Sequence, residues 1–326
     1  MKKLRIGLLM TLLSFSLTAC GGAGGNNAEN QQSKSALMIV GDENVTYEEA
    51  FAYIYMLKQQ YETGMGEEIW DFQVGEGVSF QEYAKKQIIE EVTQLKIIAQ
   101  EGEKLGIVLD EDEWIEAKNM ASDFMKMVSE EDAKKYYLTE ELMTNIYAEH
   151  ILAEKVYEVS TNEIDTNIPD EEAKQITIQY LAVLTSGTDR NGNKVEMTDE
   201  EKKQAKKKAK NLYKKAKDLD ISFYAFADAN TDAKEVEITF GKNNIPEDFG
   251  EEAMKLKTKK MSKLIAGKNG YYIVYCVSDF DEEATLAKKE EIIAQKQDKL
   301  FREKYKEWSQ GYKLILSTAV WNEVEF

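Results

Sequence analysis

The 326-residue sequence predicts an α+β protein in which mostly helical flanks enclose an inserted α/β domain of a small antiparallel sheet with helices. Three observations predict this. Residues 46–160 carry apolar positions at helical spacing almost throughout, residues 175–278 alternate strand-like and helix-like runs, and residues 281–326 return to a long amphipathic pattern that ends in a strand-like one. Each flank has a lone strand and half-apolar helices. Lone strands need pairing and half-apolar helices need cover, so residues 36–170 and 281–326 are expected to share one lobe around a middle domain at 171–280.

The chain opens with Lys2, Lys3 and Arg5 ahead of an apolar run from Ile6 to Leu17. A spanning helix takes about 20 apolar residues, so this shorter run reads as a secretory signal over residues 1–19. Leu17-Thr-Ala-Cys20 has the form of a bacterial lipobox, in which Cys20 is lipidated, and the glycines and polar residues that follow to Ser35 suit a flexible tether. The expectation is an extracytoplasmic protein held to the bacterial cell membrane by lipid. An ordinary signal peptide ending near a cysteine is the alternative.

Residues 36–41 read as a short strand. Thr46-Tyr-Glu-Glu49, Ser79-Phe-Gln-Glu82 and Asp110-Glu-Asp-Glu113 are helix starts, and Thr139 begins a helix to about Val159. In the middle, a strand over residues 176–183 precedes a helix opened by Thr198-Asp-Glu-Glu201. A small helix at 221–227, a strand at 237–241, a helix after Pro246 and a closing strand at 270–277 follow. Residues 281–309 suit a long amphipathic helix, and residues 312–321 a final strand.

Asp and Glu number 60 against 42 Lys and Arg, a formal charge of −18 that loss of the signal would make more negative. Such a surface argues against nucleic acid or anionic headgroups as partners. With Cys20 lipidated, Cys276 is the remaining thiol, so no intrachain disulfide is expected, and Cys276 reads as a small buried hydrophobe. The single histidine, His150, has no second ligand or triad partner near it in sequence. Asp189 to Glu200 imitates a calcium loop but has Lys194 where that loop needs glycine, so a turn at Asn191-Gly192 is expected and no metal site. Residues 202–217 hold nine lysines, yet Ala205, Ala209, Leu212, Ala216 and Leu219 give them an amphipathic helical frame with a solvated face. Binding of anionic cell-wall polymer stays open there. Met120, Met125 and Met127, with Phe124, Tyr136 and Tyr137, are either helix core or an adaptable apolar surface, since both need the same periodicity.

Phe223 to Ala227, Phe249-Gly-Glu-Glu-Ala-Met-Lys-Leu256 with Met261-Ser262, and Gly270-Tyr-Tyr-Ile-Val274 together resemble the parvulin family of peptidyl-prolyl isomerases. The resemblance implies that Ile245, Phe249 and Met254 line a pocket for a proline ring, that no cofactor is needed, and that the family's two histidines fall at Tyr180 and Tyr272. A family cysteine or aspartate falls near Ala233, with Asp232 just before it. Tyrosine hydroxyls still hydrogen-bond, but the longer side chains are also able to fill the pocket floor. Isomerisation is therefore expected to be weak or absent.

Gly41-Asp-Glu-Asn-Val-Thr-Tyr-Glu-Glu49 and Lys104-Leu-Gly-Ile-Val-Leu-Asp-Glu-Asp-Glu113 are similar to phrases in the SurA and PrsA group of extracytoplasmic foldases. The order of lipobox, helical segment, parvulin-like domain and helical tail is also that group's arrangement. This implies a folding factor that binds unfolded or newly secreted polypeptides, with the flanks as its chaperone lobe. The reading set against it is a solute-binding lipoprotein of a transport system, which would show two α/β lobes.

Overall fold

A computed structural model describes residues 36–75, 77–188, 194–322, 324 and 326. The signal segment, Cys20, the tether and the turn at Asn191-Gly192 lie outside the described residues. The chain is mostly helical with small antiparallel sheets. It divides into two compact units: one comprises the residues up to Glu163 with Lys299–Phe326, the other Ile164–Asp298.

The first unit begins with β1 (Ala36–Val40) and β2 (Glu43–Thr46), an antiparallel hairpin with Val40 opposite Glu43. Gly41 takes φ 61° at its turn, a conformation only glycine adopts without strain. β2 has no alternation in its sequence to mark it as a strand, since Val45 alone of its residues is buried. Thr46 then accepts a hydrogen bond from the Glu49 N–H at 3.2 Å and starts α1 (Tyr47–Met65). Its Ala50, Tyr53, Ile54 and Leu57 form one buried stripe.

A second small hairpin, β3 (Gln73–Gly75) with β4 (Val78–Ser79), leads into α2 (Phe80–Lys104), which opens with a reciprocal Ser79–Glu82 cap. The helices α3 (Glu111–Met125), α4 (Glu130–Lys135) and α5 (Glu140–Thr161) complete the N-terminal part. Phe124 sets its ring edge-on to Tyr55 and Tyr147, and Met120 and Met125 pack on the same core. Met127 is exposed. The methionine stripe is therefore mostly core.

The tail strand Leu314–Leu316 pairs antiparallel with β1, Met38 opposite Leu316, so β1 is the central strand of three. The strand expected over residues 312–321 is thus only three residues long. Once Ser317 N–H has donated to Leu37 O, Ser317 O accepts from Trp321 N–H, and the chain turns into the helix Thr318–Asn322 with Trp321 buried.

The second unit runs α6 (Asp170–Ala173), β5 (Gln175–Leu184), the hairpin β6 (Ser186–Thr188) and β7 (Lys194–Glu196), α7 (Asp199–Lys215), α8 (Phe223–Asp228), β8 (Glu237–Gly241), α9 (Gly250–Ala253), β9 (Ile265–Ala266) and β10 (Gly270–Ser278). Its sheet has the order β8-β5-β10-β9, with every neighbouring pair antiparallel. Alternation divides the side chains between two cores. Leu181, Val183 and Ile273 meet Ala205, Ala209 and Leu212 of α7 and the two phenylalanines of α8. Ile176, Ile178, Ala182, Tyr272 and Val274 meet Phe240, Phe249 and Ala253 on the other face. The lysines 203, 206, 207 and 210 on α7 are exposed, and Cys276 is buried.

The long helix α10 (Glu282–Ser309) starts in the second unit and from Lys299 belongs to the first. Near its start, Thr285 Oγ1 accepts from Gln175 N–H at 3.1 Å and Lys289 pairs with Asp170 at 2.6 Å. Ile292 is buried with Ile168 and Ala173. These contacts lie within the second unit, which ends at Asp298. Beyond it, Phe301 and Tyr305 enter the first unit's core.

Candidate functional site

The candidate site lies on the sheet face that carries Tyr180 and Tyr272. In the β5–β10 ladder Tyr272 stands opposite Ala182 and Val274 opposite Tyr180, so the two tyrosines are diagonal neighbours on one face. Phe249 touches both rings: its centroid is 4.8 Å from that of Tyr180, stacked, and 5.0 Å from that of Tyr272. Met254 and Ala233 pack against the same cluster, half-buried. Phe249 and Tyr272 are 7% and 5% exposed, so the floor of the expected proline pocket is filled by these two rings. Ile245 is not part of that buried cluster and is exposed at 37%.

The hydroxyl of Tyr272 is committed. It donates to Asp248 Oδ2 at 2.7 Å. The same carboxylate accepts from the Lys268 N–H at 2.6 Å, the Asn269 N–H at 3.3 Å and the Asn269 side-chain amide at 2.9 Å. Gly267 permits this wrap, since a Cβ there would lie 2.7 Å from Asp248. Burial and then the bond to Asp248 raise the Tyr272 pKa well above the ordinary tyrosine value. Burial works against the Asp248 carboxylate, but the hydrogen bonds from Tyr272, Asn269 and the loop N–H groups hold it below the usual range. Burial, with Glu235 nearby, also raises Tyr180. At neutral pH the face thus presents neutral phenols and one carboxylate saturated with donors.

Asp232 is engaged elsewhere. β8 pairs with β5 only from Gln175 to Gln179, and past that point residues 231–236 cover the edge of β5. Tyr180 N–H donates to Val236 O at 2.7 Å, Ala182 N–H to Thr231 Oγ1 at 3.0 Å, and Leu184 N–H to Asp232 Oδ2 at 3.0 Å. The other Asp232 oxygen pairs with Lys208 at 2.9 Å. Both oxygens therefore serve the strand edge and α7. Ser262, in the same pocket segment, is buried; its N–H donates to Val274 O at 2.7 Å and its Oγ accepts from the Val274 N–H at 2.9 Å.

Residues 187–278 match the family described as "Rotamase: PPIC-type PPIASE domain". The middle of the chain is a PPIC-type PPIase domain. The matched stretch includes Tyr272, Phe249, Ile245, Met254, Asp232 and Ala233, whereas Tyr180 on β5 precedes it. Across 96% of its length the chain is 23% identical to a foldase protein PrsA of Clostridium botulinum, covering 96% of that protein. It is 24% identical to a foldase protein PrsA of Caldanaerobacter subterraneus, covering 96% of this chain and 95% of that one. Among solved structures, the foldase protein PrsA of Lactococcus lactis aligns over 88% of this chain and 96% of that chain, at 15% identity and a TM-score of 0.37.

Within the PPIase domain the residue that the sequence reading missed is Asp248. It sits directly before the quoted Phe249 segment, but its role depends on Tyr272 and Asn269, more than 20 positions later. An acidic residue ahead of a pocket phenylalanine was the only local signal. Among the described residues no group of three or more histidines, cysteines or acidic residues is placed to hold a metal ion.

Proposed function

We propose that the chain is an extracytoplasmic folding factor that binds unfolded or newly exported polypeptides, is anchored through lipid on Cys20, and isomerises prolyl bonds weakly or not at all. The observation that carries the folding role is the near full-length relation to proteins named foldase. In this reading residues 36–163 and 299–326 form the chaperone lobe, and Ile245, Phe249 and Met254 border the place where a proline ring docks. Tyr180, Tyr272, Asp232 and Ala233 occupy the family's polar positions without supplying an imidazole.

The barrier to amide rotation is about 18–20 kcal/mol, and a catalyst lowers it only by binding the twisted amide better than the planar one. A Tyr272 hydroxyl already given to Asp248 has no proton left to offer such an amide. Full-length protein in detergent should therefore suppress aggregation of a chemically unfolded client while leaving the isomerisation rate of a proline tetrapeptide close to the uncatalysed one. Failure to suppress aggregation of any of several clients would refute the folding role. Turnover matching an intact parvulin would refute the weak-isomerase part alone. For the anchor, Cys20→Ala should shift the protein out of the membrane fraction, and unchanged processing and fractionation would refute lipidation.

A further inference from the structure

The first unit holds a cavity of about 600 Å³, within the range of natural ligand pockets, and no motif in the sequence points to it. Its wall is apolar near the surface, where Val108 and Trp114 are 68% and 47% exposed. Its charged lining is Glu49, Glu103 and Glu149 against the single cation Lys96. Lys96, at 4% exposure, lies between two of the carboxylates, with Nζ 2.5 Å from Glu149 Oε1 and 2.8 Å from Glu49 Oε1.

One ammonium does not satisfy this lining. Glu149 Oε2 is buried with no hydrogen-bond partner, while Glu49 Oε1, on a residue more than nine-tenths buried, has only the Lys96 ammonium at 2.8 Å. Leaving a charged acceptor buried and unpaired is costly, so the cavity favours a ligand that brings donors and positive charge. The Glu149 side chain keeps 27% of its surface exposed at atoms other than the buried Oε2, so a group reaching Oε2 enters along that exposed part.

We propose that this cavity receives a lysine or arginine side chain of an unfolded polypeptide, its head at Glu149 and Glu49 and its neighbouring apolar residues against Val108 and Trp114. A long aliphatic stem with a cationic head matches an apolar wall above an acidic floor. The assignment rests on the polypeptide-binding function proposed above and gives it a place and a preference.

The test uses full-length protein in detergent and three fluorescent nonapeptides of leucine and serine that differ only at the centre: lysine, norleucine or glutamate. The lysine peptide should bind at least tenfold tighter than the norleucine peptide and the glutamate peptide weakest. Glu149→Gln should reduce lysine-peptide affinity about tenfold and leave norleucine-peptide affinity unchanged, while Trp114→Ala should weaken both. Should Glu149→Gln fail to fold by circular dichroism, Glu103→Gln at the exposed end of the lining serves in its place, with the same expected direction. Equal affinity for the lysine and norleucine peptides, or no response to the glutamate variants, overturns the assignment. Aggregation suppression that persists without lysine preference refutes the cavity and spares the folding role. Lysine-selective binding without any aggregation suppression supports the cavity and refutes the folding role.

Discussion

The two units treat buried polar groups in opposite ways. In the PPIase domain three polar groups of the candidate site are engaged within the fold: Tyr272 with Asp248, Asp248 with the 268–269 loop, and Asp232 with Leu184 and Lys208. In the helical unit Tyr53 Oη, Glu149 Oε2 and His150 Nε2 are buried without partners, and among the described residues every such side-chain atom lies in this unit. A polar group already satisfied within the fold has little left for a ligand, whereas an unsatisfied one is a cost that a ligand can relieve. Likeness to an enzyme family and an unsatisfied polar lining thus reside in different units of this chain.

The strongest way to break that contrast is at Lys96. Burial lowers its pKa, but Glu149 and Glu49 outweigh burial and raise it, so the ammonium persists between them. Lys96→Met leaves two carboxylates facing each other and should cost the helical unit about 3–5 kcal/mol at neutral pH. The loss should shrink as pH falls and the pair takes up a proton. Chemical denaturation followed by tryptophan fluorescence checks this, since all four tryptophans, at 70, 114, 308 and 321, are in that unit. An unchanged midpoint would mean that the buried ion pairs contribute nothing.

In the PPIase domain Phe249→Ala should cost about 3 kcal/mol, because the ring fills the space between two tyrosines. Hydrogen exchange of β5 and β10 should report it while the helical unit is unaffected. A destabilisation under about 1 kcal/mol would show that the ring sits in an open pocket.

A smaller effect belongs to Tyr272→Phe, about 1 kcal/mol, since Asp248 keeps three other donors. Its pH dependence has a definite sign. The folded pKa of Asp248 is depressed, so its contribution is complete above its unfolded value near 3.8 and is lost as pH falls through the lower folded value. The folded pKa of Tyr272 is raised, so its contribution is complete below its unfolded value near 10.0 and is lost as pH rises towards the folded one. Wild type should thus exceed the variant in stability by the largest margin between those limits, with the difference shrinking at both ends. A pH-independent difference would show that the bond to Asp248 is not what distinguishes them.

Much of the fold was legible because its elements announce themselves locally. Ser79–Glu82, Asp110–Glu113 and Thr198–Glu201 form the reciprocal caps that their spacing implies, and the alternation of residues 270–278 divides the two cores of the PPIase domain. What escaped depends on contacts distant in sequence. β2 is a strand only because β1 lies beside it, the tail strand stops where the ladder with β1 ends, and α10 changes unit part-way along an unbroken amphipathic pattern. At the site, Tyr272 and Phe249 could be read from phrases, but Asp248 could not, and neither could the cavity, whose Glu49, Lys96 and Glu149 come from three different helices.

The most direct measurement is hydrogen exchange of the full-length protein with and without a saturating unfolded client. Client-dependent protection is expected in the helical unit around residues 46–49, 96–114 and 142–152, with at most weak changes between Tyr180 and Cys276. Protection confined to the PPIase domain, centred on Tyr180, Phe249 and Tyr272, with none in the helical unit, would contradict it.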